Sequence, residues 1–263
     1  MKTILNSGAG FLVAMILSFV LCAFDAHAQN EKQITNVVLV HGAFVDGSGW
    51  EPVYHILAKK GYHVTITQQP LTSFEDDVAA VNRVLQQQDG PCILVGHSYG
   101  GAVISIAGNK ANVAGLVYIA AHAPDDGESE SANGKLYPPA YKSLQKGSDG
   151  FDFIEPKEFI ADFAGDLSKD KAEFMANAQM PTADSAFRAI IRNPAWKNKP
   201  SWYMVARADC IINPELERMY ARRANSKTVE IEGGSHSIFI SHSKEVAQLI
   251  IAASKSTAAT RHQ

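Results

Sequence analysis

The sequence predicts an α/β protein: a mostly parallel central sheet flanked by helices, with a largely helical cap inserted before one of the later strands. Three observations carry this. Short apolar runs at 37–40, 92–95 and 113–120 have the composition of strands buried on both faces. Amphipathic helical stretches alternate with them, and such alternation implies parallel strands joined by right-handed crossovers. The alternation stops near His122 and resumes at Trp202, and the intervening stretch, about 123–200, has mixed Phe-, Ala- and Asp-rich segments without a clear strand.

Taken in order, the first strand (37–40) is followed by His41-Gly42-Ala43-Phe44 and then by loop residues 45–49. A helix from about Trp50 places Val53, Ile56 and Leu57 on one face and ends at Lys59-Lys60-Gly61, a basic last turn closed by glycine. Residues 62–66 read as the second strand. Thr72-Ser73-Phe74-Glu75 has the capping-box form and opens a helix that turns Val78, Val81, Val84 and Leu85 inward. The third strand runs into Gly96-His97-Ser98-Tyr99-Gly100, with an apolar helix from Ala102 and a fourth strand from Val113 beyond it. After the insertion come a strand at 202–206, a helix opened by Asn213-Pro214, and a last strand at 228–231. Ser241 is expected to cap a final helix with Val246, Leu249 and Ile250 facing inward, and the chain past Ser254 to be loose.

Composition narrows the class. The 263 residues are 46% hydrophobic and 19% charged with a formal net charge of -3, which gives no electrostatic case for nucleic acid or an anionic membrane surface. Residues 1–28 have the order of an export signal: Lys2, an apolar stretch at 11–21, then Ala26-His27-Ala28 as a cleavage site. The apolar stretch is shorter than the ~18–20 residues a membrane span needs, so no stable membrane anchor is expected. The mature domain is then 29–263, periplasmic or secreted, with two cysteines. Cys92 begins one strand and Cys210 follows the end of a parallel one, too far apart to pair, so both are expected as thiols and mostly buried. No Cys/His spacing points to a metal, and no cofactor motif is present. The sequence carries no signal for an oligomeric state.

The chemistry centres on Ser98. In G-x-S-x-G the turn is so sharp that small residues must flank the serine, whose hydroxyl is thereby presented at the sheet edge beside a helix N-terminus. A serine needs a base, and the base an orienting acid. Of the nine histidines, His236 stands immediately after the last strand, at the same edge as Ser98; His122 also follows a strand and is the rival, or a pocket-wall residue. Asp209 follows the strand at 202–206 and is the candidate acid, with Asp125 as its competitor. Backbone N–H groups of Tyr99 and Ala43 are placed to form an oxyanion hole. Phe44, His122 and Phe239 stand beside these elements as candidates for the substrate pocket.

The motifs Leu39-Val40-His41-Gly42-Ala43, Val95-Gly96-His97-Ser98-Tyr99-Gly100-Gly101, Ala208-Asp209 and Gly234-Ser235-His236 resemble the α/β-hydrolases, in the branch of small carboxylesterases, plant methyl-ester hydrolases and hydroxynitrile lyases. The resemblance runs from about Thr35 to Ala252 and is weakest across the insertion. It implies a serine hydrolase that cleaves a small carboxylic ester through an acyl-enzyme, with the triad in the order Ser98, Asp209, His236. Lyases of this type place a lysine directly after the catalytic histidine and a threonine after the oxyanion-loop histidine. Here Ser237 and Gly42-Ala43 occupy those places, which favours an esterase. A lyase-like enzyme and a non-hydrolytic small-molecule binding protein remain as alternatives on this fold.

Overall fold

The computed structural model describes residues 33–260; the export segment expected at 1–28 lies outside the described residues. Six strands form one parallel sheet in the order β2-β1-β3-β4-β8-β9. They are β1 (Asn36–Val40), β2 (His63–Ile66), β3 (Cys92–Ser98), β4 (Val113–Ala121), β8 (Ser201–Ala206) and β9 (Lys227–Ile231). The pleat divides each strand between two cores, because successive side chains point to opposite faces. Val37, Leu39, Ile93, Val95, Val117 and Ile119 pack on one side, against helices α1 (Glu51–Lys59) and α10 (Ser243–Thr260). Val38, Val40, Leu94, Leu116 and Tyr118 pack on the other, against α2 (Phe74–Gln86), α3 (Gly100–Ala107) and α8 (Pro214–Arg223). Each such Val, Leu or Ile contributes about 1.5–3 kcal/mol when fully buried. The central strands β1, β3 and β4 are buried along their whole length, while β9 at the edge is mostly exposed. Among the described residues no helix is long and apolar enough to cross a membrane.

Several local expectations shift. The cap of α2 is Ser73 rather than Thr72: its extended backbone lets Oγ accept the Asp76 N–H at 3.1 Å, and Thr72 instead donates to Asp76 Oδ2. A short helix, α9 (Ile238–Ser241), precedes α10, so Ser241 ends one helix instead of capping the next. Between Ser254 and Thr260 the chain is not loose, since α10 continues to Thr260. There Ser254 Oγ donates to Ile34 O at 2.5 Å and Thr257 Oγ1 to Ala253 O, so small hydroxyl residues bury against the sheet. Cys92 is a buried thiol and Cys210 a partly buried one.

The insertion contains helices α4 (Glu130–Leu136), α5 (Pro156–Phe163), α6 (Lys169–Asn177) and α7 (Asp184–Phe187). It also holds a small antiparallel sheet that the sequence did not disclose, β5 (Leu144–Lys146), β6 (Phe151–Ile154) and β7 (Thr182–Ala183). Strands of two to four residues are too short to establish an alternation that can be told from loop composition.

Candidate active site

The floor of the site lies where β1, β3, β4 and β8 end. Ser98 is the last residue of β3 and has φ 54°, a left-handed conformation that costs a non-glycine residue about 1–3 kcal/mol and is held by its surroundings. Two glycines make the turn possible. A Cβ on Gly100 would stand 2.5 Å from His41 O, and one on Gly42 would stand 2.7 Å from Ser98 Cβ. The loop after β1 and the start of α3 therefore approach closely enough to bring Ala43 and Tyr99 together around the serine. Phe44 N–H is donated to Thr182 Oγ1, whereas among the described residues no acceptor takes the Ala43 or Tyr99 N–H.

His236 completes a continuous chain of hydrogen-bonding atoms. Its Nε2 is 2.8 Å from Ser98 Oγ and its Nδ1 is 2.6 Å from Asp209 Oδ2, with the imidazole fully buried. The other Asp209 oxygen accepts the N–H groups of Ile211 at 2.7 Å and Ile212 at 2.9 Å, which fixes the carboxylate plane. His97 lies beneath: its Nε2–H donates to His236 O at 2.8 Å, and its ring packs 4.2 Å from that of Phe239. Burial, and then the neighbouring His236, hold His97 well below the usual imidazole range, so it stays neutral. Phe239 is thus a core residue behind the histidine, packed on Trp50 and His97, and not the pocket residue expected. His41 also serves the scaffold; its Nε2 accepts the Gln69 N–H and burial lowers its pKa.

Sequence reasoning missed two carboxylates. Glu217, on α8, is fully buried, and its Oε2 accepts the Ala206 N–H at 3.1 Å. Burial first, then the charge of adjacent Asp209, push its carboxyl well above the usual range, which favours its protonated form beside Asp209. Its signal was a charged residue among the inward positions Leu216, Tyr220 and Ala221 of an amphipathic helix. Asp166, in the cap, accepts from Ser235 N at 3.0 Å, Ser235 Oγ at 2.5 Å and Ser241 Oγ at 2.7 Å. It clamps the loop that carries His236, and nothing in its local sequence distinguishes it from a solvated acid. Ser237, where a lyase-like lysine would stand, is buried with Oγ donating to Phe163 O at 3.0 Å. Asp125 is placed elsewhere, in an ion pair with Lys197 at the base of the cap.

Above Ser98 is a cavity of about 320 Å³. Ala43, Phe44, Tyr99 and His122 line it from the sheet edge, and Leu144, Ile154 and Phe187 from the cap. Phe44 and His122 thus both face this cavity. His122 Nε2 stands 3.5 Å from Glu130 Oε2, and both line the cavity. Among the described residues no cluster of three His, Cys, Asp or Glu side chains is arranged to hold a metal ion.

Residues 37–249 match the alpha/beta hydrolase family, and the chain belongs to it. A pyrethroid hydrolase of Sphingobium wenxiniae is 31% identical over 101 residues, a stretch covering 34% of this chain and 36% of that protein. A solved pyrethroid hydrolase from Sphingobium faniae superposes with a TM-score of 0.72 at 22% identity, covering 84% of this chain and 98% of that one. A methylesterase from Arabidopsis gives 0.69 at 18% identity, covering 84% and 98%. At these identities the superpositions establish the fold.

Proposed function

We propose that the protein is a serine hydrolase of small carboxylic esters, working through an acyl-enzyme. The observation that carries this is the unbroken relay from Asp209 through His236 to Ser98 Oγ at the floor of an apolar cavity. His236 Nε2 takes the Ser98 proton as Oγ attacks the ester carbonyl. The oxyanion forms against the Ala43 and Tyr99 N–H groups, and Asp209 stabilises the imidazolium. His236 then protonates the leaving alcohol, and a water activated the same way releases the acid and restores Ser98. The activities that the similar proteins are named for, pyrethroid hydrolase and methylesterase, are in keeping with ester chemistry. Export to the periplasm or outside the cell, by way of residues 1–28, belongs to the same proposal.

A graded series of p-nitrophenyl esters, run beside mandelonitrile, tests it. Ester turnover with an early burst, labelling of Ser98 by an organophosphonate, and a loss of three orders of magnitude or more in Ser98→Ala are expected. Rapid cyanide release with negligible ester turnover, or undiminished turnover in folded Ser98→Ala, refutes it.

A further inference from the structure

The cavity wall holds one group of side chains that ester hydrolysis does not use. His122 follows the last residue of β4, and its backbone N–H donates to Ser98 O at 3.0 Å, so the two residues sit side by side on neighbouring strands. Its ring is 14% exposed and lines the cavity together with Glu130, which is 7% exposed. Around them Asn133 Nδ2 donates to Tyr220 OH at 3.0 Å, and Tyr220 OH lies 3.4 Å from His122 Nδ1. This chain ends under-satisfied. The 3.5 Å from His122 Nε2 to Glu130 Oε2 exceeds a good hydrogen bond, and neither atom has a closer partner among the described residues, although both side chains line the cavity.

Nor does an ion pair account for the arrangement. Burial, and then the proximity of His236, push His122 down to about 3, while burial pushes Glu130 well above the usual carboxylate range. Both shifts favour the uncharged forms. A neutral carboxylic acid offers one donor and one acceptor, and a neutral imidazole adds another of either kind. Buried polar groups left without partners are costly, and a ligand that supplies them gains selectively over one that cannot. The complementary ligand group is small, uncharged and both donor and acceptor, which describes an alcohol. An apolar chain lying against this part of the wall leaves the deficit in place.

We propose that His122 and Glu130 form a polar subsite that selects esters bearing a hydroxyl group close to the scissile carbonyl. The proposal rests on the serine-esterase reading for its substrate class, but the subsite itself is a matter of binding. Two matched pairs probe it: p-nitrophenyl 3-hydroxybutyrate against butyrate, and 2-hydroxyethyl against ethyl acetate. One hydroxylated member is expected to have the higher kcat/KM by about tenfold, and the pair that responds tells whether the acyl or the alcohol side meets the subsite. Glu130→Gln, which keeps a donor and an acceptor, retains the preference; Glu130→Leu abolishes it, mainly through KM. Calorimetric titration of Ser98→Ala with 3-hydroxy-1-phenylpropan-1-one and with propiophenone, with and without Glu130→Leu, reads the same preference without turnover. Should no ester be cleaved, a hydroxyl-dependent difference in Kd that Glu130→Leu removes still upholds the subsite. No hydroxyl preference in either pair and equal Kd values for the two ketones overturn it, as does a preference that survives Glu130→Leu.

Discussion

The floor and the wall of this site are built in different ways. On the floor, each residue of the relay is held from close by: Ser98 by a strand end and a helix start, Asp209 by two backbone N–H groups, His236 by His97 beneath it. The wall is assembled from short pieces of the insertion, including Ile154 on a four-residue strand, Phe187 in a four-residue helix and Glu130 at the first turn of α4. Its polar groups, His122 and Glu130 above all, are left incompletely paired. A floor whose Asp209, His236 and Ser98 are already joined in one hydrogen-bonded relay is preorganised, whereas a wall whose His122–Glu130 contact is loose at 3.5 Å keeps hydrogen-bonding capacity to discriminate ligands with.

That contrast governs what the sequence could reveal. Ser98 and Asp209 each stand at the end of a buried apolar run and His236 stands just past the edge strand β9, and a parallel sheet brings such strand ends to one edge, so their meeting was legible. Ala43 was legible for the same reason, since it follows β1. Phe239 misled because closeness in sequence to His236 does not say which way a side chain points, and α9 turns its ring into the core. Asp166 and Thr182 stayed hidden because they act across 69 and 138 residues of separation, through contacts that no local pattern encodes. The antiparallel sheet of the cap escaped because its strands are shorter than any readable period.

Breaking the floor has the largest expected effect. Asp209→Asn removes the charge that stabilises the imidazolium and leaves an amide that favours the wrong tautomer, so kcat is expected to fall by about 10³–10⁴. Asp125→Asn, which loses a partly exposed ion pair with Lys197 and keeps an oxygen for the Asp126 N–H, is expected to change kcat by less than about twofold. Steady-state kinetics on an activated ester with both variants checks the pair. A reversed outcome would move the acid to the loop after β4 and end the division drawn between floor and wall.

Breaking the joint between the two halves comes next. Asp166 reaches from the cap to Ser235 and Ser241 on either side of His236, so Asp166→Ala frees the histidine loop without touching the reacting atoms. A drop of about tenfold in kcat, with KM little changed, and about 1–3 kcal/mol of stability are expected. Asp166→Asn keeps one acceptor oxygen and is expected to recover most of kcat. If Asp166→Ala lost stability alone, measured by urea unfolding beside kinetics, the clamp would be structural and the floor independent of the cap.

The smallest effect compares the acid side of stability in the two halves. Asp77, on α2 beneath Tyr99, accepts from Tyr99 OH at 2.6 Å and from Leu71 N at 2.8 Å, yet burial raises its pKa to about 6. Glu128, at the base of the cap, is the opposite case. Burial alone would raise it, but hydrogen bonds from Arg223, the Asp125 N–H and Asn133 outweigh that and hold it down at about 2. Between about pH 4 and 6 the folded state binds the Asp77 proton more tightly than the unfolded chain does, so this group's contribution to stability falls as pH rises through that window. Glu128 contributes stability that is present above its unfolded pKa and is lost as pH falls toward about 2. Removing Asp77 therefore leaves the cap's acid loss unopposed. Urea unfolding of wild type and Asp77→Asn at pH 4, 5, 6 and 7 is expected to show the wild type gaining, relative to the variant, on the order of 1 kcal/mol from pH 7 to 4 after allowance for solvent screening. A difference that stays flat, or grows as pH rises, would mean that Asp77 ionises normally under Tyr99 and that the floor is no more acid-tolerant than the wall.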